Sequence, residues 1–392
     1  MPQYLLQAGN TPALTLAEAQ AMVDPQAQLL AAAVVTFKAQ SDQAAKDVFK
    51  LLGAAVKLIK VNTTLKITEQ QKLEEHLLAQ LLEDSPKNIQ FSLTYLGQPD
   101  SIGTTEPISL MSLKKALKEQ QVKARFIEGS SRGLSAAVLL HQPVTELVVF
   151  SHEEQLLVGQ TLAVQNIDHW TLKDRGKSYA DRKKGMLPPK IARIMVNLAL
   201  GKEMAADTLV YDPFCGTGTV LIEALERGAE VVGSDLDRQA IAGTQENLEW
   251  FAQQAGLKPR FTVFQSQVAQ AKLSQLPGKV DAIVTEPFLG KPNPKPNQLP
   301  GIFKGLEKMY LGAFNQWRTL LKDGAKVVMV FPRAEIVGGQ TFDLKNFVDK
   351  LPSRGYTSPV DLGTLRYARK GAIIQRDIGI FTYSPGKQPT KE

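Results

Sequence analysis

Hydrophobic and polar positions alternate regularly in the C-terminal half of the chain. From residue 207 onward, short apolar runs rich in Val, Ile and Leu are separated by longer segments whose apolar residues recur at helical spacing. The short runs predict strands at 208–211, 230–233, 279–284, 325–331 and 376–383. Strands that alternate with helices are typical of a doubly wound α/β sheet, in which the carboxyl ends of the parallel strands form the ligand-binding edge.

The N-terminal half alternates in the same way, but in two smaller units. In the first unit, residues 1–84, Thr15 and Glu18 have the spacing of a capping box for a helix from about residue 17. The other elements predicted there are strands at 4–8, 29–37 and 55–61 and helices at 43–52 and 65–82. The second unit, residues 85–165, follows the helix-ending Glu-Asp-Ser-Pro. Its predicted elements are strands at 89–95, 123–127, 136–140, 147–151 and 156–165 and a helix at 110–120.

Residues 166–185 break this alternation. The segment is polar, turn-prone and rich in cations, among them Arg175, Arg182, Lys183 and Lys184. We interpret it as a basic linker, followed by a third domain at 186–385 and a polar tail at 386–392. Lys114 and Lys115, on the predicted helix 110–120, are further candidates for contact with phosphate groups, although a solvated helix face explains them as well.

Composition narrows the classes of function without choosing one. The 392 residues are 43% hydrophobic and 22% charged, as in an ordinary folded protein, and their length predicts two or three domains. The net charge of +7 favours a polyanionic partner. The single cysteine excludes an internal disulfide and a multi-thiolate metal site, and the four scattered histidines have no metal-ligand spacing. No segment has the length of a membrane span or the pattern of a secretory signal, so we expect a cytoplasmic location.

The turn Asp212-Pro213-Phe214-Cys215-Gly216-Thr217-Gly218-Thr219 lies where the first strand of the third domain passes into a helix. Its glycines let the backbone approach a ligand, but it has neither a P-loop lysine nor the spacing of a dinucleotide fingerprint. Asp212 would repel a pyrophosphate and suits a ligand that carries an ammonium or sulfonium group. Asp235, at the end of the second strand, is placed to accept hydrogen bonds from ribose hydroxyls.

The order of these motifs resembles class I S-adenosylmethionine-dependent methyltransferases. The third strand end, Glu286-Pro287-Phe288-Leu289, resembles the Asp-Pro-Pro-Tyr or Asn-Pro-Pro-Tyr signature of amino-methyltransferases. Residues 185–192 (Gly-Met-Leu-Pro-Pro-Lys-Ile-Ala) are similar to the tRNA guanosine-10 N2-methyltransferase family, which joins this domain to a THUMP RNA-binding domain. Residues 4–18 and 159–165 also resemble that family. The resemblance implies a Rossmann-like methyltransferase domain behind a ferredoxin-like α+β unit and a THUMP-like unit.

The resemblance also implies roles for individual residues. Asp212, Phe214 and the backbone around Gly216 and Gly218 would hold the methionine end of S-adenosylmethionine. Asp235 would bind the ribose, with Asp237 as the alternative, and Leu236 would lie against the adenine. Gln267 would accept from the adenine amine, and the segment that includes Leu187 and Pro188 would cover the methionine end. Glu286, Pro287 and Phe288 would orient the amine of the target base.

This sequence departs from the family signature at the catalytic strand end. Glu286 stands where Asp or Asn is usual, and the aromatic residue, Phe288, comes one position early. A cap at Glu286 and a core position for Phe288 are the structural alternatives. The following loop offers Lys291 and Lys295 as contacts for RNA phosphates, or serves only to shield the site.

Three functions therefore compete. The first is methyl transfer to the N2 amine of a guanosine in tRNA, which requires base flipping. The second is amino-methylation of ribosomal RNA or DNA, and the third is RNA binding by a non-catalytic protein that retains the cofactor fold. The target nucleotide, the number of methyl groups transferred and the need for an activating protein partner stay open.

Overall fold

The chain folds into two compact units, Met1–His169 and Trp170–Glu392. The structure is a computed structural model, and it describes residues 1–31, 33–84, 86–97, 108–181, 186–336, 339–368 and 371–386. Each unit is built on a sheet of its own.

The N-terminal unit contains a mixed eight-stranded sheet and five helices among the residues that the structure describes. In chain order the elements are β1 (Gln3–Ala8), α1 (Pro12–Met22), β2 (Gln28–Ala31), β3 (Val34–Lys38), α2 (Asp42–Leu51), β4 (Ala55–Lys66), α3 (Gln70–Leu82), β5 (Asn88–Leu96), α4 (Leu110–Glu119), β6 (Lys123–Phe126), α5 (Ala136–His141), β7 (Thr145–His152) and β8 (Gln155–Val164).

The strand order is β2-β3-β1-β4-β8-β7-β5-β6. The first four neighbours come from residues before the boundary predicted near residue 84, and the last four come from residues after it. The two halves join through antiparallel pairing of β4 with β8. Each half supplies four adjacent strands to one shared sheet. The division into two units at residue 84 therefore stays a prediction.

Three predictions for this unit were wrong. The prediction of one strand at 29–37 is replaced by two antiparallel strands, β2 and β3, with Leu29 paired to Val35. Residues 136–140 are helical, because the Ser135 hydroxyl caps the backbone of Val138 and the alanines that follow favour a helix. The capping box at Thr15 and Glu18 does not form, because α1 already begins at Pro12. Glu18 is buried instead and accepts hydrogen bonds from the backbone of residues 53 and 54.

The C-terminal unit has the doubly wound architecture that the hydrophobic pattern predicts. A helix, α6 (Ile167–Arg175), spans the division between the units, and the helices that follow are α7 (Pro189–Leu200), α8 (Thr219–Glu226), α9 (Arg238–Ala255), α10 (Leu299–Trp317) and α11 (Lys345–Val348). The strands are β9 (Leu209–Asp212), β10 (Glu230–Asp235), β11 (Phe261–Gln265), β12 (Val280–Thr285), β13 (Leu321–Glu335), β14 (Thr341–Phe342), β15 (Tyr356–Thr357), β16 (Arg366–Tyr367) and β17 (Ile374–Tyr383).

The sheet order β11-β10-β9-β12-β13-β17-β15 places β9 in the interior of the sheet, between β10 and β12. These strands run parallel from β11 to β13, and β17 joins antiparallel. The main core lies between this sheet and α10, where Tyr310, Phe314 and Trp317 are fully buried against Phe331 and Phe347. The carboxyl ends of β9, β10 and β12 are therefore adjacent on one edge of a rigid sheet.

The predicted basic linker at 166–185 is helical over its first half, which corrects our interpretation of a turn-prone segment. Lys173 is 1% exposed rather than solvated, and its ammonium lies 2.9 Å from Glu223 and 2.8 Å from Glu226. Arg193 from α7 binds the same two carboxylates. Buried charges of this kind must be paired with opposite charges. The acidic partners of these cations lie too far along the chain to be identified from the sequence.

No helix among the described residues is both long enough and apolar enough to cross a bilayer.

Candidate active site

The three strand ends singled out in the sequence line one cavity of about 1480 Å³ in the C-terminal unit. Asp212 ends β9, Asp235 ends β10 and Glu286 follows β12. Because β9 lies between β10 and β12, the sheet itself brings residues from three distant parts of the sequence to one wall. This is the carboxyl edge at which open α/β sheets bind ligands.

The glycine turn is held in a conformation that favours glycine at two positions. Gly216 has φ +52° and Gly218 has φ +76°, both in the left-handed region. Gly216 lines the cavity, whereas Gly218 is not among the described residues that line it. A Cβ at Gly218 would come within 3.1 Å of the Thr244 methyl group on α9. Gly218 thus serves the turn and its packing, and only Gly216 is placed for a close approach to a ligand.

The Asp212 carboxylate is 2% exposed and faces the cavity without a cationic partner among the described residues. Its Oδ1 accepts hydrogen bonds from the Thr285 hydroxyl at 2.6 Å and from the Phe214 backbone at 3.1 Å. Burial raises the pKa of Asp212 to about 7, and the nearby charges of Asp235 and Glu286 raise it further against those hydrogen bonds. A buried anion that lacks a counter-charge is the feature that a cationic ligand would satisfy.

Asp235 stabilises the glycine turn as well as facing the cavity. Its two oxygens accept from the backbone of Gly216 at 3.1 Å and of Asp237 at 2.9 Å, which leaves further lone pairs for a ligand. Asp237, the alternative ribose partner, accepts from the backbone of Gln239 as the N-cap of α9. Leu236, between them, is 64% exposed on the cavity wall.

The other predicted cofactor residues fall into two groups. Phe214, Leu187 and Gln267 line the cavity, and Gln267 is solvent-exposed at the start of a short 3₁₀ turn. Pro188 is the N-cap of α7 and is not among the described residues that line the cavity. Cys215 is buried, and its sulfur accepts from the Thr244 hydroxyl at 3.6 Å. Because burial raises the pKa of the Cys215 thiol well above its ordinary value, it is suited to filling space rather than to attack as a nucleophile.

The third strand end places an acid and an aromatic ring in the cavity together. Pro287 is buried in the wall, and the Phe288 side chain is 60% exposed, so Phe288 is not the core residue of the structural alternative. The Phe288 carbonyl accepts from the buried Tyr310 hydroxyl at 2.8 Å, which fixes the turn from the α10 side. Leu289, where the family signature has its aromatic residue, packs partly against the core.

Glu286 has a partner that sequence reasoning missed. Arg376, in the last long strand β17, donates from Nε to Glu286 Oε1 at 2.5 Å, and both side chains line the cavity with about 15% of their surface exposed (15% for Arg376 and 16% for Glu286). The cap that was the alternative for Glu286 is therefore not its interaction. Arg376 at the start of the predicted strand 376–383 was the available signal, but only the sheet order reveals what it faces.

A second missed element is the short segment around Tyr179. The Tyr179 backbone exchanges hydrogen bonds with the fully buried Asn247 side chain, at 2.8 and 2.9 Å. Asn247 also donates to the Thr217 carbonyl at 2.9 Å, and so links this segment to the glycine turn. The Tyr179 ring lies against Gly243 on α9, where a Cβ would come within 2.0 Å of it.

The predicted RNA-contact lysines Lys291 and Lys295 belong to the loop after the third strand end. Lys291 lines the cavity, and Lys295 is exposed a few residues later, beside a 3₁₀ turn. Arg175 is exposed at the end of α6. Lys114 and Lys115 are exposed on α4 of the N-terminal unit, where the Lys114 ammonium lies 5.6 Å from the Phe126 ring centroid. The predicted contacts Arg182, Lys183 and Lys184 lie outside the described residues.

The cavity residues fit S-adenosylmethionine by their chemistry. A buried carboxylate without a counter-charge suits the ligand's positive charge, and a carboxylate at the end of the second strand suits its ribose. An exposed leucine between two aspartates suits the face of an adenine ring. No cluster of three His, Cys, Asp or Glu side chains that could hold a metal ion is found within the described ranges.

Comparison with known proteins identifies relatives of both parts of the chain. The UPF0020 family model, described as "RMKL-like, methyltransferase domain", matches residues 177–332. The tRNA (guanine(10)-N2)-dimethyltransferase of Methanocaldococcus jannaschii is 26% identical over 302 residues, which cover 74% of this chain and 80% of the relative.

Two further relatives match the chain over shorter stretches. The enzyme of the same name from Methanothermobacter thermautotrophicus is 34% identical over 166 residues, and the match spans only 42% of each chain. A protein of Methanothermococcus thermolithotrophicus, named "Probable tRNA (guanine(10)-N2)-dimethyltransferase", is 36% identical over 121 residues, which are 30% of this chain and 70% of that protein.

Solved structures agree on the fold. TrmN from Thermus thermophilus matches with a TM-score of 0.54 at 16% identity, over 98% of this chain and 100% of its own. SMU.472, described as a putative methyltransferase complexed with SAH, matches with a TM-score of 0.51 at 13% identity, over 100% of this chain and 99% of its own.

The fold and the cavity together define a class I methyltransferase, for which S-adenosylmethionine is the cofactor. Within that class, the identity to the Methanothermococcus protein over most of its length decides the family. The chain belongs to the tRNA guanosine-10 N2-methyltransferase family.

Proposed function

We propose that this protein transfers a methyl group from S-adenosylmethionine to the exocyclic N2 amine of a guanosine in tRNA. The observation that carries the proposal is the strand end Glu286-Pro287-Phe288, which lies in the same cavity as the glycine turn and exposes its aromatic ring there. The proposal is supported by relatives named for guanine-N2 methylation of tRNA.

The protein's own residues need to orient the amine rather than to activate it strongly. The lone pair of a guanine amine is delocalised into the ring, so the amine must be held in line and its protons must be accepted. Glu286 Oε2, which has no partner among the described residues, and the Pro287 carbonyl are the acceptors proposed here. When bound, S-adenosylmethionine supplies a methyl group on a cationic sulfur. In well-aligned systems, orientation alone contributes roughly 7–11 kcal/mol to lowering the barrier.

The exposed Phe288 ring is the proposed stacking platform for the extruded base. Stacking on an aromatic side chain contributes roughly 1–3 kcal/mol per base. The Phe288 carbonyl already accepts a hydrogen bond from Tyr310, which fixes the turn that carries the ring. Little conformational entropy is therefore lost when a base binds. Asp212, Asp235 and Leu236 would hold the cofactor at the adjacent strand ends.

The proposed RNA contacts are electrostatic and lie in both units. Lys291 and Lys295 would bind phosphates beside the extruded nucleotide, and Lys114 and Lys115 would bind RNA on the THUMP-like unit. We propose the cytoplasm as the compartment, a location supported by the lone, unpaired cysteine.

The test uses purified full-length protein, labelled S-adenosylmethionine and tRNA transcripts that lack modifications, followed by nucleoside mass spectrometry of the product. We expect N2-methylguanosine, and a loss of turnover in Glu286→Ala with cofactor affinity unchanged. Tight RNA and cofactor binding without methyl transfer, also after addition of cell extract, would show a non-catalytic RNA-binding protein instead. Methylated adenosine or cytidine would overturn the assignment of the base, and the extract arm reveals whether an activating protein is required.

Charge removal tests the RNA contacts. Replacing Lys291 and Lys295 together by Gln should reduce the slope of log affinity against log salt by about 0.7–0.9 for each phosphate that is no longer neutralised. Lys258→Gln, at an exposed position after α9 and outside the cavity wall, is the matched control. Equal slopes for the double variant and the control would remove these lysines from the interface.

A further inference from the structure

The ion pair between Glu286 and Arg376 presents a specific pattern of hydrogen-bonding groups to the cavity. Arg376 uses Nε for Glu286 Oε1, and its two Nη groups have no hydrogen-bond partner among the described residues. Glu286 Oε2 is likewise without a partner there. Both side chains are mostly buried and both line the cavity, so these remaining donors and acceptors are available to a ligand that occupies it.

The position of Arg376 is set by the sheet. Its backbone pairs with Pro332 of β13 on one side and with Tyr367 of β16 on the other. The guanidinium thus projects from a strand held on both edges, and the bond to Glu286 restricts its rotation. A planar fork restricted in this way is well suited to read a flat polar edge.

We propose that Arg376 is a specificity-determining residue that reads O6 of the target guanine while its partner Glu286 reads the adjacent N–H groups. The Watson–Crick edge of guanine carries, in order, the O6 acceptor, the N1–H donor and the N2–H donors. The pair offers the complement in order, with guanidinium N–H groups beside two carboxylate oxygens. This inference rests on the proposed function and adds the residue that selects the base.

Other bases fail against the same pair. Adenine would place its exocyclic amine, a donor, against the Arg376 donors and its N1 lone pair against the carboxylate. Cytosine would likewise place a lone pair against the carboxylate. A buried polar group that is left without a partner costs much more binding free energy than a weak interaction on the surface. A site of this kind therefore strongly rejects a base whose hydrogen-bonding edge does not match. The glutamate at position 286, which departs from the family signature, has the reach to accept from Arg376 and a base at once.

The decisive substrate is a tRNA in which the target guanosine is replaced by 6-thioguanosine. This base keeps the N1–H and N2 amine groups and exchanges only the O6 acceptor for a sulfur that accepts weakly. We expect the wild-type protein to prefer guanosine by about 10-fold or more in kcat/KM, the usual discrimination for a hydrogen bond to a charged group. Arg376→Met should lower the rate on guanosine and bring the ratio of kcat/KM for guanosine to that for 6-thioguanosine close to one. Arg376→Lys should restore part of the preference for guanosine.

Three outcomes decide the matter. Failure of the wild-type protein to methylate guanosine would defeat the proposed function itself. Equal rates of methylation of guanosine and 6-thioguanosine by the wild type would overturn only the role of Arg376. An Arg376→Met variant that is slower on both bases by the same factor would overturn it as well. If Arg376→Met does not fold, as judged by thermal unfolding and cofactor affinity, the wild-type ratio and Arg376→Lys decide. Arg260→Met, which alters an exposed pair with Glu230, is the control and should leave the ratio unchanged.

Discussion

Cofactor binding should release a proton from Asp212, because this carboxylate is buried without a counter-charge. Burial raises its pKa from the ordinary value of 3.8 to about 7, so below pH 7 the empty site is mostly protonated. A bound cation favours the ionised carboxylate and lowers that pKa again. Since the empty site holds more protons than the occupied site, affinity for S-adenosylmethionine must rise with pH in this range.

The size of the effect follows from linkage. With a pKa of about 7 in the empty site and the ordinary value in the occupied one, affinity should increase roughly 50-fold between pH 5 and pH 7. The increase from pH 7 to pH 8 should be less than about twofold, and from there the ligand's own α-amino group begins to lose its proton. Titration calorimetry in two buffers of different ionisation enthalpy measures both the affinity and the proton released.

The variant Asp212→Asn keeps the acceptor for Thr285 but removes the titrating group. It should bind the cofactor weakly and with little pH dependence. Asp237→Asn, which changes the same charge at the helix cap, should retain the wild-type slope. A flat wild-type profile between pH 5 and pH 7, or an equal slope in Asp212→Asn, would refute the reasoning.

The pH dependence of folding stability is an independent test of the raised pKa of Asp212. An acid whose pKa is raised in the folded state holds its proton after the unfolded chain has lost it, so the empty protein should lose stability as pH rises from about 4 to 7. The shift corresponds to roughly 4 kcal/mol in total. Denaturant unfolding across this range should show the loss in the wild type and a smaller loss in Asp212→Asn.

Three further predictions test other walls of the site. Asp235→Ala removes two backbone bonds and the ribose acceptor, and should weaken cofactor binding roughly 10- to 150-fold by calorimetry; unchanged affinity would exclude the role. Phe288→Ala should lower kcat/KM for tRNA roughly 5- to 150-fold with cofactor affinity intact, and Phe288→Trp should retain activity; equal losses in both would exclude stacking. Gly243→Ala should displace the Tyr179 ring and destabilise the fold by more than about 1 kcal/mol, whereas Gly301→Ala, with open space around it on α10, should stabilise it by about 0.4–1 kcal/mol in denaturant unfolding.

The first two strand ends of the cavity could be recognised in the sequence because their signals are local. Asp212, the glycine turn and Asp235 occur within a single strand–turn–helix–strand unit, where hydrophobic spacing and glycine chemistry determine the backbone. The fold class followed from the same alternation of strands and helices. Local patterns gave a wrong prediction where a short apolar run is compatible with both a strand and a helix. At residues 136–140, alanine and a serine cap favoured the helix.

Only the tertiary structure decided the partners of the buried charges. Lys173 finds Glu223 and Glu226 some fifty residues away, and Glu286 finds Arg376 ninety residues away. Sequence patterning reports which positions are buried, but a charge can be buried beside any complementary charge that the topology delivers. The order of strands in the sheet depends on long-range packing. It makes β17, rather than a local neighbour, supply the cation beside the strand end at Glu286. The residue proposed here to select the base therefore became visible only when the chain was folded.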